Sequence, residues 1–182
     1  MRILGFILEV VFQLLVGAAL LRAYMNGLRV NMRAQPGLFV MALSDWIVQP
    51  LRRWLPQALT SARLDWASLI AAILLAALYA LLWGSLVGLF YGGVAMSVAG
   101  ASLLGLALSF LLRVTLQTLS LLVLGYVLAS WLQPGSFFFS MLARLVEPVL
   151  APFRRVVPVI GGVDLSPMLL LLLLQVGVML LS

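Results

Sequence analysis

Pro50-Leu51-Arg52-Arg53-Trp54-Leu55-Pro56 and Pro152-Phe153-Arg154-Arg155-Val156-Val157-Pro158 are two copies of one phrase, P-x-R-R-x-x-P with apolar residues at every x. An internal repeat fixes the architecture before any local element is assigned. The same offset of 102 residues pairs Asp45 with Glu147 and Leu43 with Leu145. What repeats is therefore a segment, an acid followed by a proline-bracketed arginine doublet.

The chemistry of the phrase points to a membrane surface. Its first proline can start a helical turn and its last disfavours α conformation in the residue before it, so each phrase predicts about one turn. On that turn Leu51, Trp54 and Leu55, or Phe153, Val156 and Val157, share a face. The arginines point the other way. Such a wedge suits the headgroup layer, where a guanidinium can hold phosphate bidentately. Paired arginines also set topology by the positive-inside rule, and the two roles are compatible.

The rest of the chain agrees with that setting. With 65% hydrophobic and 9% charged residues and a mean hydropathy of +1.22, it is predicted to be an all-α integral membrane protein. The +6 net charge comes from arginine without lysine, and the arginines flank apolar spans. Anionic phospholipid is thus the expected partner, alongside other membrane proteins, and no direct nucleic-acid contact is expected. The absence of cysteine and histidine removes disulfides, thiolate chemistry, imidazole catalysis and the usual metal and haem ligands. No catalytic, metal or cofactor site is predicted.

Four transmembrane helices are expected as two parallel repeats. Repeat 1 (1–91) holds a span at about 3–25, an amphipathic interfacial segment at 37–56 and a span at about 66–91 capped by Asp65. Phe39, Leu43, Trp46 and Ile47 fall on one face of the interfacial helix, opposite Ser44, Asp45 and Gln49. Gly17-Ala18-Ala19 resembles a signal-peptidase site, but Glu9 interrupts the apolar region and that region runs on past it, so cleavage is not expected. A Gly/Ala/Ser-rich connector, 92–105, is placed at the outer surface or dipping back into it. Repeat 2 (106–182) holds a span at about 108–132, an interfacial segment at 136–158 and a last span at about 166–182. Ser166 is its expected N-cap, Pro167 opens it, and its length predicts little tilt.

Charge parity decides the topology. If only one crossing lies between Val94 and Trp131, Arg22, Arg29, Arg33, Arg52, Arg53, Arg63, Arg144, Arg154 and Arg155 share a side, leaving Arg2 and Arg113 opposite. Both phrases are then cytoplasmic and both termini outside.

The repeat reaches into the bilayer. Residues 8–15 and 112–119 match at four of eight positions, putting Glu9 or Arg113 one turn from Gln13 or Gln117. In parallel repeats these equivalent sites can meet about an axis along the membrane normal. Glu9 and Arg113 either pair there, with the glutamines below, or each reaches the outer headgroups separately. Gly84, Gly88 and Gly92, spaced at i, i+4 and i+8, predict close helix packing, and Gln175 an interhelical hydrogen bond.

An acid, then P-x-R-R-x-x-P, then Gly161-Gly162-Val163-Asp164-Leu165-Ser166-Pro167 opening a terminal apolar helix, in a duplicated chain, resembles the YggT family (YlmG-like) of bacterial and plastid membrane proteins. The resemblance covers essentially the whole chain and is most specific from Glu147-Pro148 through Pro167. The first half departs from it where Trp46 follows the acid and where 57–67 lacks the Gly-Gly and Ser-Pro elements. The resemblance implies roles such as haem attachment to a cytochrome b or nucleoid organisation in plastids, and division-site or membrane organisation and osmotic tolerance in bacteria.

Two functions are carried forward. The first is a non-enzymatic membrane factor that helps organise or assemble other membrane components, with Arg52, Arg53, Trp54, Phe153, Arg154 and Arg155 on anionic lipid or an acidic partner. The second is a small ion or osmolyte channel using Glu9, Gln13, Arg113 and Gln117 as its polar path. A homo-oligomer is compatible with either.

Overall fold

The computed structural model describes residues 2–30, 37–54, 65–91, 99–157 and 164–181, with backbone alone at 2, 89–91 and 99–102. The chain folds into helices α1 (Arg2–Gly27), α2 (Gly37–Trp54), α3 (Trp66–Tyr91), α4 (Ala99–Leu132), α5 (Phe137–Arg154) and α6 (Ser166–Leu180). Three contain stretches long and apolar enough to cross a membrane: Ile3–Gly27, Trp66–Gly88 and Leu103–Leu132. α6 is equally apolar but has 15 residues, about 22 Å of helix.

Contacts divide the chain into two compact units, Met1–Val114 and Thr115–Ser182. The boundary falls inside α4. In unit 1, α1 packs on α2 and α3, and α2 on α3. Ala67, Ala71, Ala72, Leu75, Ala76 and Tyr79 form the packing face of α3, against Phe12, Val16 and Ala19 of α1. Lipid tails are as apolar as leucine, so burial in hydrocarbon gives no net drive here. Close approach over small side chains supplies dispersion instead. That stripe is alanine rather than the expected glycine: Gly88 faces open space, and only Gly84 opposes a neighbour, Leu103, at contact distance. Alanine is almost as small as glycine and keeps its helix propensity. Outward-facing Ile3, Phe6, Ile7, Leu14, Ile73 and Leu81 leave a broad apolar exterior.

Unit 2 is built on α5. Its Met141, Leu142, Leu145, Val146 and Leu150 are buried, with Arg144 and Glu147 outside. The Gln133-Pro134-Gly135 turn forms with Gly135 at φ +84°, and Ser136 then caps α5 by accepting the Phe139 N–H at 3.1 Å. α5 packs on α6.

Four further expectations change. First, neither arginine phrase is a separate turn: Pro50 lies inside α2 and Pro152 inside α5, which also contains Pro148. Each proline removes one i→i−4 bond, but at Pro50 and Pro152 the carbonyls affected belong to the exposed Trp46 and Pro148, where solvent can satisfy them at far less cost than in a buried helix. The last two residues of the first phrase, 55 and 56, lie outside the described residues.

Second, the buried stripe of α2 runs between its two expected faces, with Ile47 packed on the core and Gln49 exposed. Val40, Ser44 and Val48 are buried, while Phe39 and Trp46 are exposed. An apolar face in a membrane protein need not face protein, because lipid accepts it; a polar face with an internal partner can be the buried one. Third, α4 begins at Ala99, so the second half of the expected connector is helix continuous with the span. Backbone groups near hydrocarbon must bond internally, which outweighs the modest cost of Gly100 and Gly105. Residues 92–98 lie outside the described residues. Fourth, Ser166 is the first residue of α6, not its cap. Its N–H goes to Asp164 Oδ1 at 2.9 Å, because a carboxylate answers both the open N–H and the helix dipole.

Candidate functional site

In unit 1 the polar residues gather where α1 ends and α3 begins. Arg22 and Asn26, one turn apart on α1, share a face. Arg22 Nη1 donates to Ser44 Oγ at 2.8 Å and to Asp45 Oδ1 at 2.7 Å, both on α2. The Ser44 hydroxyl in turn donates a hydrogen bond to the Val40 carbonyl at 2.7 Å. Arg22 is buried, and its Nε has no partner among the described residues. Asn26 Nδ2 donates to Asp65 Oδ2 at 2.6 Å, and Arg52 Nη2 reaches the same oxygen at 2.6 Å. Asp65 also accepts the Ser68 hydroxyl at 2.8 Å and the Ser68 N–H at 3.4 Å. It therefore caps α3, as its position predicts, and ties α1 and α2 to that cap.

Burial opposes the Asp65 charge, but the Ser68 hydroxyl, the Arg52 cation and the Asn26 amide outweigh it and hold the carboxyl below its ordinary range.

Unit 2 builds the same device from different residues. Arg154 Nε donates to Asp164 Oδ2 at 2.8 Å, Nη1 to Glu147 Oε2, and Nη2 to Tyr126 Oη at 3.0 Å. The guanidinium thus joins α4, α5 and the aspartate two residues ahead of α6. Burial works against the Asp164 charge too, yet Ser166 and Arg154 carry its pKa below the ordinary value. Desolvation likewise opposes the Arg154 cation, and Asp164 and Glu147 reverse that and raise its pKa.

In each unit, then, the first arginine of the doublet is clasped by the aspartate that also answers the opening N–H groups of the next apolar helix. The second is differently placed. Arg53 and Arg155 are exposed and make no ion pair among the described residues. Beside them stand Trp54, 89% exposed, and Val156, 79% exposed; Phe153 is half-buried. A guanidinium with free donors next to an exposed apolar side chain can take a phosphate while its neighbour enters an acyl or protein surface.

The other predicted cluster lies far along the spans. Arg113 Nη2 donates to Glu9 Oε1 at 2.7 Å. The Arg113 guanidinium is 5.9 Å from the Phe110 ring centre, and Phe110 stacks on Tyr79 at 3.9 Å. Glu9 is 18 residues before the end of α1 and Arg113 is 19 before the end of α4, about 27 Å and 28 Å along each axis. For spans whose far ends mark one face of a core about 30 Å thick, that height is the opposite headgroup boundary, not the bilayer centre. Gln13, in unit 1, and Gln117, in unit 2, are both half-buried. The Gln117 Oε1 atom is buried without a partner among the described residues.

Sequence reasoning passes over Arg22 as a topology flank and over Tyr126 altogether. A signal for both exists: the offset of 104 that aligns Glu9 with Arg113 also aligns Arg22 with Tyr126. Both sit on the helix entering the clasp, one carrying charge and the other accepting a hydrogen bond.

The CCB3/YggT family model matches residues 1–86 and 105–182. An uncharacterised protein named YggT from Escherichia coli (strain K12) is 32% identical over 181 residues, 97% of this chain and 87% of the relative. An uncharacterised protein from Haemophilus influenzae is 30% identical over 156 residues, 85% of this chain and 78% of its own length. One from Vibrio alginolyticus is 28% identical over 176 residues, covering 96% and 91%. No solved structure matches. The unmatched stretch, 87–104, contains all but the last residue of the expected connector.

Proposed function

The chain belongs to the CCB3/YggT family, and from that premise we propose that it is a non-enzymatic, four-span factor of the bacterial cytoplasmic membrane. In this reading it helps organise or assemble other membrane components by engaging anionic headgroups, or an acidic surface of a partner, at the cytoplasmic face. One observation carries it: each doublet is divided between an arginine held by internal carboxylates and one exposed beside a large apolar residue. Arg53 with Trp54, and Arg155 with Val156, are the contact points; Arg52 and Arg154 hold the helices that present them.

Proteoliposomes and native mass spectrometry test this. An exposed arginine near a membrane surface contributes about 1 kcal/mol of attraction to anionic lipid, roughly fivefold in retention. The double variant Arg53→Ala/Arg155→Ala is expected to lose most of the preference for phosphatidylglycerol or cardiolipin over phosphatidylethanolamine while keeping its elution volume in detergent. Unchanged preference, or a selective solute flux through wild-type proteoliposomes that Glu9→Gln abolishes, would overturn it, the second outcome in favour of a channel.

A further inference from the structure

The α6 helix carries one side chain that hydrocarbon cannot satisfy. Gln175 is exposed and has no hydrogen-bond partner among the described residues. Leu170 and Leu174 are buried, and a Cβ added at Gly177 would stand 2.9 Å from Leu116 of α4. Gln175, two residues from Gly177, is about 200° away round the helix and faces out of unit 2. Counted from Ser166 it lies nine residues in, about 14 Å along the axis, near the middle of a core about 30 Å thick. A primary amide at that depth has two donors and an acceptor with no water to take them.

The surroundings of that amide are arranged for a helix. Gln175 sits in a groove of about 620 Å³ lined also by Leu171, Leu172, Val176, Val178 and Met179. Met168, Leu171, Gln175 and Val178 follow the alternating three- and four-residue spacing of a two-helix seam, with a polar residue at one core position, the device that fixes register and partner number.

We propose that this seam is the contact between two copies of the chain, related by a two-fold axis along the membrane normal. Copies inserted with the same topology carry Gln175 at the same depth. A carboxamide is its own complement: the Nε2–H of one Gln175 donates to the Oε1 of the other. Lipid covers the leucines and methionines of the face equally well; the amide selects a second α6. This inference does not depend on the arginine contacts, and the two can fail separately.

The chain has no cysteine, so single substitutions report cleanly in native membranes. Leu171→Cys and Val178→Cys, on the seam, are expected to form a disulfide-linked dimer on mild oxidation. Leu173→Cys and Leu180→Cys, roughly 140–160° round the helix from Gln175, are expected not to. Adding Gln175→Leu to Val178→Cys should cut the dimer about tenfold at unchanged protein level, and Gln175→Asn should retain most of it. Equal crosslinking on both faces, none on the seam, a product with the mass of a different protein, or a dimer indifferent to Gln175→Leu would each overturn the proposal.

Discussion

Arg22 and Asp45 form a lopsided ion pair. Their charged ends are 2.7 Å apart, but the arginine side chain is 6% exposed and the aspartate 37%. The cation is the group that cannot rehydrate if the pair is broken.

It follows that the two partners are not equivalent to mutation. Asp45→Ala strands a buried guanidinium and should cost about 3 kcal/mol in denaturant unfolding in mixed micelles, whereas Arg22→Met, which removes the charge and keeps the stem, should cost within about 1 kcal/mol. Equal losses would mean that Arg22 is more hydrated than its position indicates.

Asp65, 8% exposed, serves Asn26, Arg52 and Ser68 at once, while Arg52 is 44% exposed. Asp65→Ala is expected to destabilise by about 2–3 kcal/mol, because it leaves donors on three residues without their acceptor. Arg52→Ala should cost less than half of that, since a half-exposed pair is screened. Unfolding of both variants, side by side, checks the order.

The same carboxyl gives a pH dependence with a definite sign. The folded Asp65 and Asp164 pKa values lie below the ordinary 3.8, so both groups bind protons more weakly folded than unfolded. Their contribution is complete above about 3.8 and is lost as the pH falls through the folded values. The melting temperature should therefore be insensitive to these groups from neutral pH down to about 5 and fall below about 4. In the double variant Asp65→Asn/Asp164→Asn the starting value should be lower and the acid-induced fall shallower.

Glu9→Arg and Arg113→Glu each place two like charges at the 2.7 Å contact and should lower the yield of folded protein several-fold. Together they restore an opposite pair, so the double variant should recover most of it. Fluorescence-detected gel filtration of tagged variants supplies the measure, and absence of rescue would count against the contact.

How legible these sites are in the sequence depends on what each residue's surroundings demand. Asp65 is readable as a cap because an acid just ahead of an apolar run has one obvious use. Glu9 and Arg113 can be matched because the repeat aligns them. Arg22 is not readable: an arginine closing an apolar run has the same appearance whether it meets headgroups or turns inward to Asp45. The face of α2 is hidden for a related reason. Periodicity separates Phe39 and Trp46 from Ser44, but where lipid and protein are both apolar it does not say which group is buried. The uninterrupted passage of α2 through Pro50 and α5 through Pro152 is hidden too, because the cost of proline depends on whether water reaches the carbonyl one turn back.

That last feature limits how these helices can sit. Trp46 and Pro148 carbonyls lack their usual donors, so neither α2 nor α5 can sink until those oxygens enter hydrocarbon without forfeiting hydration worth several kcal/mol. In the proposed headgroup-binding role, each ring would act as a draught line, limiting how far its helix rides into the bilayer and keeping the neighbouring Arg53 or Arg155 within reach of the phosphates.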